Sequence, residues 1–188
     1  MKLFKLALLP LALGLSFNAI ADEKKSILSN SNVYAGYAMI DTSGLDPKGM
    51  TIGGGYQWDN GYYVSADYLD LKVTAFRRDV DTTFLNAVVG KQFEINESSV
   101  IDLDAGWQKA EAKVGSVKVD DSAFVITAKY KVEVVDGWML KIGGKHTDGD
   151  TLLVAGTDYM FTNGFGLGFD LETKSGNSLM KFKASYRF

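Results

Sequence analysis

The sequence contains no cysteine, two prolines and one histidine, and each scarcity excludes a class of protein. Without cysteine there is no disulfide framework, and a lone histidine without cysteine argues against a transition-metal site. The formal net charge of −3 gives no basic surface of the kind that binds nucleic acid. We therefore expect a protein with no metal, no cofactor and no nucleic-acid partner.

Long hydrophobic runs are also missing, apart from one at the start of the chain. Residues 1–21 begin with Lys2 and Lys5, continue with an apolar run over residues 6–17 and end on the small-x-small motif Ala-Ile-Ala. This order is typical of a cleaved secretory signal peptide, and a run of about 12 residues is too short to cross a bilayer as a helix. We expect residues 22–30 to follow it as a periplasmic N-terminal segment.

Beyond residue 30, apolar residues recur with a period of two, which is the side-chain period of a β-strand. In the segment 164–174, for example, large apolar residues alternate with glycines and acids. The pattern predicts ten strands, at residues 31–41, 49–59, 61–71, 82–95, 99–112, 121–134, 137–147, 151–161, 164–174 and 178–188. Short turn sequences such as Asn-Gly and Asp-Gly join alternate pairs of strands, and the remaining connections are mostly longer and more polar.

An even number of strands, with short turns on one side and longer loops on the other, is the signature of a bacterial transmembrane β-barrel. The sequence therefore predicts an all-β fold, an antiparallel up-and-down barrel of about ten strands over residues 31–188. Eight strands are the alternative if two weaker alternations, most plausibly near 151–161, are not independent. A soluble β-sandwich would also alternate, but the aromatic apolar face and the charged opposite face favour a membrane barrel.

Aromatic residues should mark the two membrane interfaces of such a barrel. One set flanks the tight turns and predicts the periplasmic girdle: Trp58, Tyr62, Tyr63, Phe93, Trp138, Phe161 and Phe165. A second set lies nearer the longer connections and predicts the outer girdle: Tyr68, Trp107 and Phe124.

The polar face of the strands would point into the barrel, where charges have to be paired or hydrated. Hairpin geometry places four pairs of opposite charges directly across from each other: Asp104 and Lys129, Asp102 and Lys131, Glu172 and Lys181, Asp170 and Lys183. Other charges share this inward parity: Asp67, Glu133, Lys141, Lys145, Asp158 and Arg187. We interpret the set as a structural plug of ion pairs, with a narrow polar channel as the alternative.

Two single residues break the general pattern. Lys91 has outward parity, so it either reaches toward the periplasmic headgroups or follows a β-bulge that shifts the parity. His146 lies at the outer end of a predicted strand, next to hydroxyl and carboxyl side chains. Neighbours in a strand point to opposite faces, so this adjacency does not make a catalytic triad. We interpret His146 as an ordinary rim residue, with a catalytic base as the alternative.

Two further motifs resemble ligand sites only superficially. The glycines at residues 53–55 are followed by neither a helix nor the Lys-Ser/Thr pair of a phosphate loop, so we expect close packing in the lumen. Asp148 and Asp150 flank a glycine but form an incomplete Ca²⁺ loop.

The predicted outer loop at residues 72–81 carries an aromatic residue beside two arginines, Phe76, Arg77 and Arg78. Such a tip could contact lipopolysaccharide phosphates, which arginine binds well. A solvated loop without a partner is the alternative.

The chain resembles the small outer-membrane β-barrels of Gram-negative bacteria, the OmpA/OmpX-like family. The resemblance rests on the leader, the period-two strands and the terminal aromatic pattern of Phe182, Tyr186 and Phe188. It implies a porin-like integral membrane protein of the outer membrane, in contact with its lipid and lipopolysaccharide. It also implies that the barrel-assembly machinery reads the last strand, and we expect a monomer.

Three functional hypotheses follow. The first is a non-enzymatic outer-membrane barrel with a structural or surface-interaction role and a charge-paired lumen. The second is a narrow porin-like channel for small solutes. The third is a lipid- or peptide-hydrolysing barrel enzyme that uses His146 at the outer rim.

Overall fold

The computed structural model describes residues 26–42, 44, 46–75 and 78–188. The predicted signal peptide lies outside these residues, and so do Phe76 and Arg77. In the described part of the chain, no helix is long and apolar enough to cross a membrane. Its strands are β1 (Asn32–Asp41), β2 (Lys48–Gln57), β3 (Tyr62–Ala75), β4 (Arg78–Asn96), β5 (Ser99–Val114), β6 (Val117–Val135), β7 (Trp138–Thr147), β8 (Asp150–Met160), β9 (Phe165–Lys174) and β10 (Asn177–Arg187).

The ten strands form one closed antiparallel barrel in which each strand pairs with its neighbours in sequence. The ring closes where β1 pairs with β10 along its whole length, from Asn32 opposite Arg187 to Asp41 opposite Ser178. Closure satisfies the backbone hydrogen bonds of the paired strands without help from water, which is what a bilayer interior demands. The ten-strand prediction is confirmed, and the eight-strand alternative is excluded.

The turns at the periplasmic end are tight, as the Asn-Gly and Asp-Gly steps predict. Gly61, Gly137 and Gly164 have φ values of 81°, 75° and 84° at these turns. This left-handed conformation suits glycine, because a Cβ atom would clash with the backbone. The sequence therefore specifies the points where the chain reverses at this end.

The prediction of longer loops at the outer end is wrong for most connections. The predicted loop at 113–121 is instead strand, and β5 and β6 meet at a two-residue turn between Val114 and Val117. The strands β3 and β4 likewise extend to Ala75 and Arg78. These segments are polar, but they keep the alternation of a strand, and the alternation decides the structure.

As a result, β3 to β6 project beyond the rest of the barrel. On β3, the pairing with β2 extends only as far as Lys72. On β6, the pairing with β7 begins only at Val125. Residues beyond these points form a four-stranded extension, which we call the protruding sheet: residues 73–75, 78–84, 109–114 and 117–123.

The outward face of the barrel below the protruding sheet is an apolar band. On β6 it runs from Phe124 through Ile126 and Tyr130 to Val134, all of which are exposed. The ten steps from residue 124 to residue 134 span about 25 Å along the barrel axis, given a rise of about 3.3 Å per residue and a tilt of about 40°. That height matches the apolar band of a transmembrane barrel.

The aromatic residues border this band largely as predicted. Trp58, Tyr62 and Trp138 are exposed near the periplasmic turns, and Trp107 lies opposite Phe124 at the outer end. Tyr63 is the exception, since it is 2% exposed and points into the lumen. Adjacent residues of a strand face opposite ways, so Tyr62 and Tyr63 could not both belong to the girdle.

Lys91 points outward without a parity shift. Its ammonium lies 4.6 Å from the ring centre of Tyr62 and 5.5 Å from that of Phe93. The register shift on this strand lies between Glu94 and Asn96 instead. The side chain therefore follows the aromatic girdle toward the periplasmic interface, as a snorkelling lysine does.

Replacement of Ile142 by lysine tests the apolar band. Ile142 is exposed midway along β7, so the charge should destabilise the barrel in lipid by about 2–4 kcal/mol. Urea unfolding in vesicles, followed by tryptophan fluorescence, measures this loss. Val119→Lys, on the protruding sheet, is the matched control and should change stability by under about 0.5 kcal/mol. Equal effects of the two substitutions would contradict the assignment of the band.

Candidate functional site in the barrel lumen

The periplasmic end of the lumen is filled by the chain segment that precedes β1. Ile27 and Leu28 are almost fully buried and pack against Val100 and Met139, with Met160 at the edge of the cluster. We call this group the periplasmic apolar layer. It covers the inward charges on the periplasmic side, because residues 26–31 lie within the mouth of the barrel rather than beside it.

Hydrogen bonds hold this segment to the barrel wall. The carbonyl oxygen of Leu28 accepts hydrogen bonds from the Lys131 ammonium and from Gln92 Nε2, the latter at 2.9 Å. The backbone amide of Asn30 donates to Gln57 Oε1 at 2.9 Å. The segment is thus anchored to β2, β4 and β6 at once.

A second apolar group lies toward the outer end of the lumen. Ala38, Leu69 and Leu71 are at most 2% exposed, and Ile40, Phe84 and Leu179 pack against them. We call this group the outer apolar layer. The charged part of the lumen therefore lies between two layers of apolar side chains.

Between these layers, one ionic cluster joins β5 and β6. Lys129 Nζ lies 3.2 Å from Asp104 Oδ2, and Lys131 Nζ lies 3.0 Å from Asp102 Oδ2. The Tyr63 hydroxyl donates to Asp104 at 2.8 Å, and Gln92 Nε2 donates to Asp102 at 2.9 Å. Both aspartates are at most 5% exposed, so these partners replace the water that the carboxylates have lost.

A second ionic cluster connects β7, β8, β9 and β10. The Asp158 carboxylate lies 2.9 Å from the Lys141 ammonium, 3.5 Å from the Arg187 guanidinium and 3.9 Å from the Lys183 ammonium. Asp170 contacts both Lys141 and Lys183. Each carboxylate thus meets more than one cation, as a buried ionic network requires.

The network continues toward the outer layer through Glu172. Lys145 lies 2.9 Å from Glu172 Oε2, and Lys181 lies 3.5 Å from Oε1. Lys181 also lies 3.8 Å from Asp67 on β3. Because the last pair bridges the lumen, strands that are not neighbours in the barrel are linked by charge.

The structure brings together the four charge pairs proposed from the sequence, but in a different register. Asp102 lies directly across from Lys129, and Lys181 lies directly across from Asp170. Each register is therefore two residues away from the prediction. The ion pairs form diagonally instead, since a lysine side chain reaches a residue two positions along the facing strand.

Close packing leaves a small cavity inside the ionic region. Its volume is about 200 Å³, and charged residues make up much of its lining. Glycine permits this packing at several points: a Cβ atom on Gly90 would lie 2.5 Å from Tyr63 Cζ and 2.8 Å from Asp104 Cβ. Gly53, from the glycine run 53–55, makes the same kind of approach to the hydroxyl of Tyr34.

The other candidate residues lie away from this cavity. His146 is exposed on the outward face, where its Nδ1 lies 3.0 Å from the Thr151 hydroxyl. Asp148 forms the outer turn with Gly149, and Asp150 pairs with Lys174. Among the residues that the structure describes, no group of acidic or histidine side chains could hold a metal ion.

The terminal aromatic residues lie along the outward face of β10. Phe182 is exposed and packs against Phe169, with ring centres 5.1 Å apart. The rings of Tyr186 and Phe165 are 5.0 Å apart. The amide of Phe188 donates to the Ser31 carbonyl at 3.3 Å, so the chain end is tied to the start of the barrel.

Replacement of Asp158 by asparagine tests the ionic network. The substitution keeps the shape but leaves Lys141, Arg187 and Lys183 short of a negative charge, which should cost about 3–5 kcal/mol. Asp150→Asn is the matched control, because Asp150 and Lys174 form an exposed pair that is worth about 0–1 kcal/mol. Urea unfolding in vesicles measures both. A loss of under about 1 kcal/mol for Asp158→Asn would contradict the structural role of the network.

Comparisons with known proteins bear on the fold. No protein-family model matches the sequence, and no curated protein matches it either. Among solved structures, the chain is similar to the β domain of the Bordetella autotransporter BrkA, with 12% identity, a TM-score of 0.50 and coverage of 84% of this chain and 98% of that chain.

Two more solved structures show weaker likeness. The KdgM porin has 9% identity and a TM-score of 0.49, over 84% of this chain and 99% of that chain. Ail, the attachment invasion locus protein of Yersinia pestis, has 13% identity and a TM-score of 0.44, over 84% of this chain and 97% of that chain. At such identities, similarity reports the fold and not the activity. The chain has the fold of the outer-membrane β-barrels.

Proposed function

We propose that this protein is an integral outer-membrane barrel with a structural or surface-interaction role. The proposal is supported by the signal-peptide pattern, the apolar band of about 25 Å and the aromatic borders of that band. The observation that carries it is the lumen, because apolar layers lie on both sides of the ionic clusters.

A lumen of this kind serves stability rather than transport. Solutes would have to displace Ile27 and Leu28 at one end and Leu69 and Leu71 at the other. In between, they would have to compete with ion pairs at 2.9–3.9 Å. An ion would need a continuous column of water, and these side chains would have to move to make room for it.

The surface role rests on the protruding sheet, whose polarity is the reverse of that in the membrane. Its outward face carries the ion pairs Lys109–Asp120 at 3.5 Å and Lys118–Glu111 at 2.7 Å, and the pair Lys72–Asp81, at 3.6 Å, lies at its base. The hydrogen bond that the Lys118 ammonium donates to Glu111 raises the pKa of Lys118. The opposite face presents Val117 and Val119, 63% and 64% exposed. An alternating sheet with one charged and one apolar face offers contacts that a short turn would not.

The proposed partners follow from this placement. The apolar band would contact membrane lipid, and Phe76, Arg77 and Arg78, which follow β3 in the sequence, would meet lipopolysaccharide phosphates. The last strand, with Phe182, Tyr186 and Phe188, would be read by the barrel-assembly machinery. We propose a monomer, since the barrel has no open edge within the band.

A narrow channel is the second candidate, and one observation favours it. The cavity of about 200 Å³ has room for several water molecules and is lined by charged groups. Opening it would require both apolar layers to move. No comparable observation favours the enzyme hypothesis, because the described partner of His146 is a threonine hydroxyl on the outward face.

Planar-bilayer recording separates the two candidates. Folded wild-type protein should give no conductance steps, because both ends of the lumen are covered. A positive control is a variant that combines Leu69→Ala and Phe84→Ala with removal of residues 22–30. The two substitutions thin the outer apolar layer, and the deletion removes Ile27 and Leu28 from the periplasmic one. This variant should conduct. Regular current steps from the wild-type protein, at the size seen for the variant, would contradict the proposal.

A further inference from the structure

The periplasmic end of the lumen cavity has more hydrogen-bond donors than the protein uses. Arg187 is 5% exposed, and its Nη2 lies 3.5 Å from Asp158. Its Nε and Nη1 are buried without a hydrogen-bond partner among the described residues. The same holds for Nδ2 of Asn30, whose Oδ1 accepts a hydrogen bond from Lys131 at 3.2 Å.

The charges that line the cavity are also out of balance. Seven cationic side chains line it: Lys129, Lys131, Lys141, Lys145, Lys181, Lys183 and Arg187. Six carboxylates face them: Asp67, Asp102, Asp104, Asp158, Asp170 and Glu172. The cavity lining therefore carries one more positive than negative charge, and a buried charge without a counterion is costly.

Buried acceptors do not supply what these donors lack. Asp102 Oδ2 and Asp170 Oδ1 have no hydrogen bond of their own, yet each contacts a lysine ammonium, on Lys131 and Lys141 respectively. The other unpartnered side-chain atoms are neutral oxygens of Thr51, Asn86 and Ser99. The unused donors at one place, two on the Arg187 guanidinium and one on the Asn30 side-chain amide, indicate a ligand that accepts hydrogen bonds and carries negative charge.

The two residues with unused donors, Arg187 and Asn30, are close together in the fold and lie beside Lys131. Arg187 lies directly across from Asn32, whose side chain donates to the Asn30 carbonyl at 3.2 Å. Lys131 contacts Asn30, and Arg187, Asn30 and Lys131 all line the same cavity. A guanidinium and an amide can both donate to a small anion, and the neighbouring ammonium adds positive charge.

We propose that the lumen binds one small inorganic anion, such as chloride, between Arg187, Asn30 and Lys131. The cavity of about 200 Å³ has room for an ion of this size and a few water molecules. The anion would neutralise the excess charge and supply an acceptor to Arg187 and Asn30. It would also stabilise residues 26–31, since Lys131 and Asn30 take part in both contacts. The proposal does not depend on the surface role of the protein.

Thermal unfolding of the full mature chain in detergent tests the proposal, with sodium chloride and sodium gluconate compared at equal ionic strength. Gluconate is too bulky for the site. A ligand that binds only the folded state raises the midpoint, here by about 3–6 °C when chloride is at about ten times its Kd. Equal midpoints in the two salts would overturn the proposal.

Asn30→Asp tests the location. A carboxylate at this position provides the missing negative charge within the chain, so the variant should lose the difference between chloride and gluconate. Asn60→Asp is the matched control, because Asn60 lies in an exposed turn, where its Oδ1 accepts from the Tyr62 amide at 3.2 Å. This variant should keep the wild-type difference. An undiminished chloride response in Asn30→Asp would overturn the assignment to this site.

Bromide tests the anion site in the wild-type protein, so this test does not depend on whether a variant folds. Crystals of the wild-type protein grown in sodium bromide should show an anomalous peak within about 3.5 Å of Arg187. A map with no peak in the lumen, or with peaks only on the outer surface, would overturn the proposal.

Discussion

The pairing of inward charges is the constraint on which the other features depend. Each lumen carboxylate that forms ion pairs lies beside a cation from another strand, and Asp158 on β8 receives Lys141 from β7 and Arg187 from β10. In a region without free water, removal of one member would leave its partners as uncompensated charges. The network can exist only if the ring closes, and it joins strands that are not neighbours in the ring.

One alternating pattern serves two environments in this chain. Within the apolar band the outward residues are apolar and the inward ones charged, whereas the protruding sheet has charged residues outside and valines inside. The change occurs between Phe124 and Asp120 on β6, where a cross-strand aromatic pair gives way to an ion pair with Lys109. This change of polarity marks the outer edge of the apolar band more sharply than the position of the loops does.

Parity could be predicted from the sequence, but register could not. Period-two alternation assigns Asp104 and Lys129 to the same face, yet a shift of two residues leaves every side chain on that face. The exact turn sets the register, and the turn between Val114 and Val117 lies within a run that reads as polar loop. The inward orientation of Tyr63 could have been predicted from its neighbour Tyr62, since only one of two adjacent strand residues can face lipid. The apolar pair Ile27 and Leu28 was the available signal for the periplasmic layer, but its position depends on contacts with distant strands.

The central claim is that the charged lumen is sealed from solvent at both ends. The chain contains no cysteine, so a single Thr127→Cys variant places one thiol in the lumen, where Thr127 is 7% exposed. Folded in vesicles, it should remain unlabelled by a charged maleimide while Val119→Cys, on the protruding sheet, is labelled to completion. Labelling of both thiols at the same rate would contradict the sealed lumen.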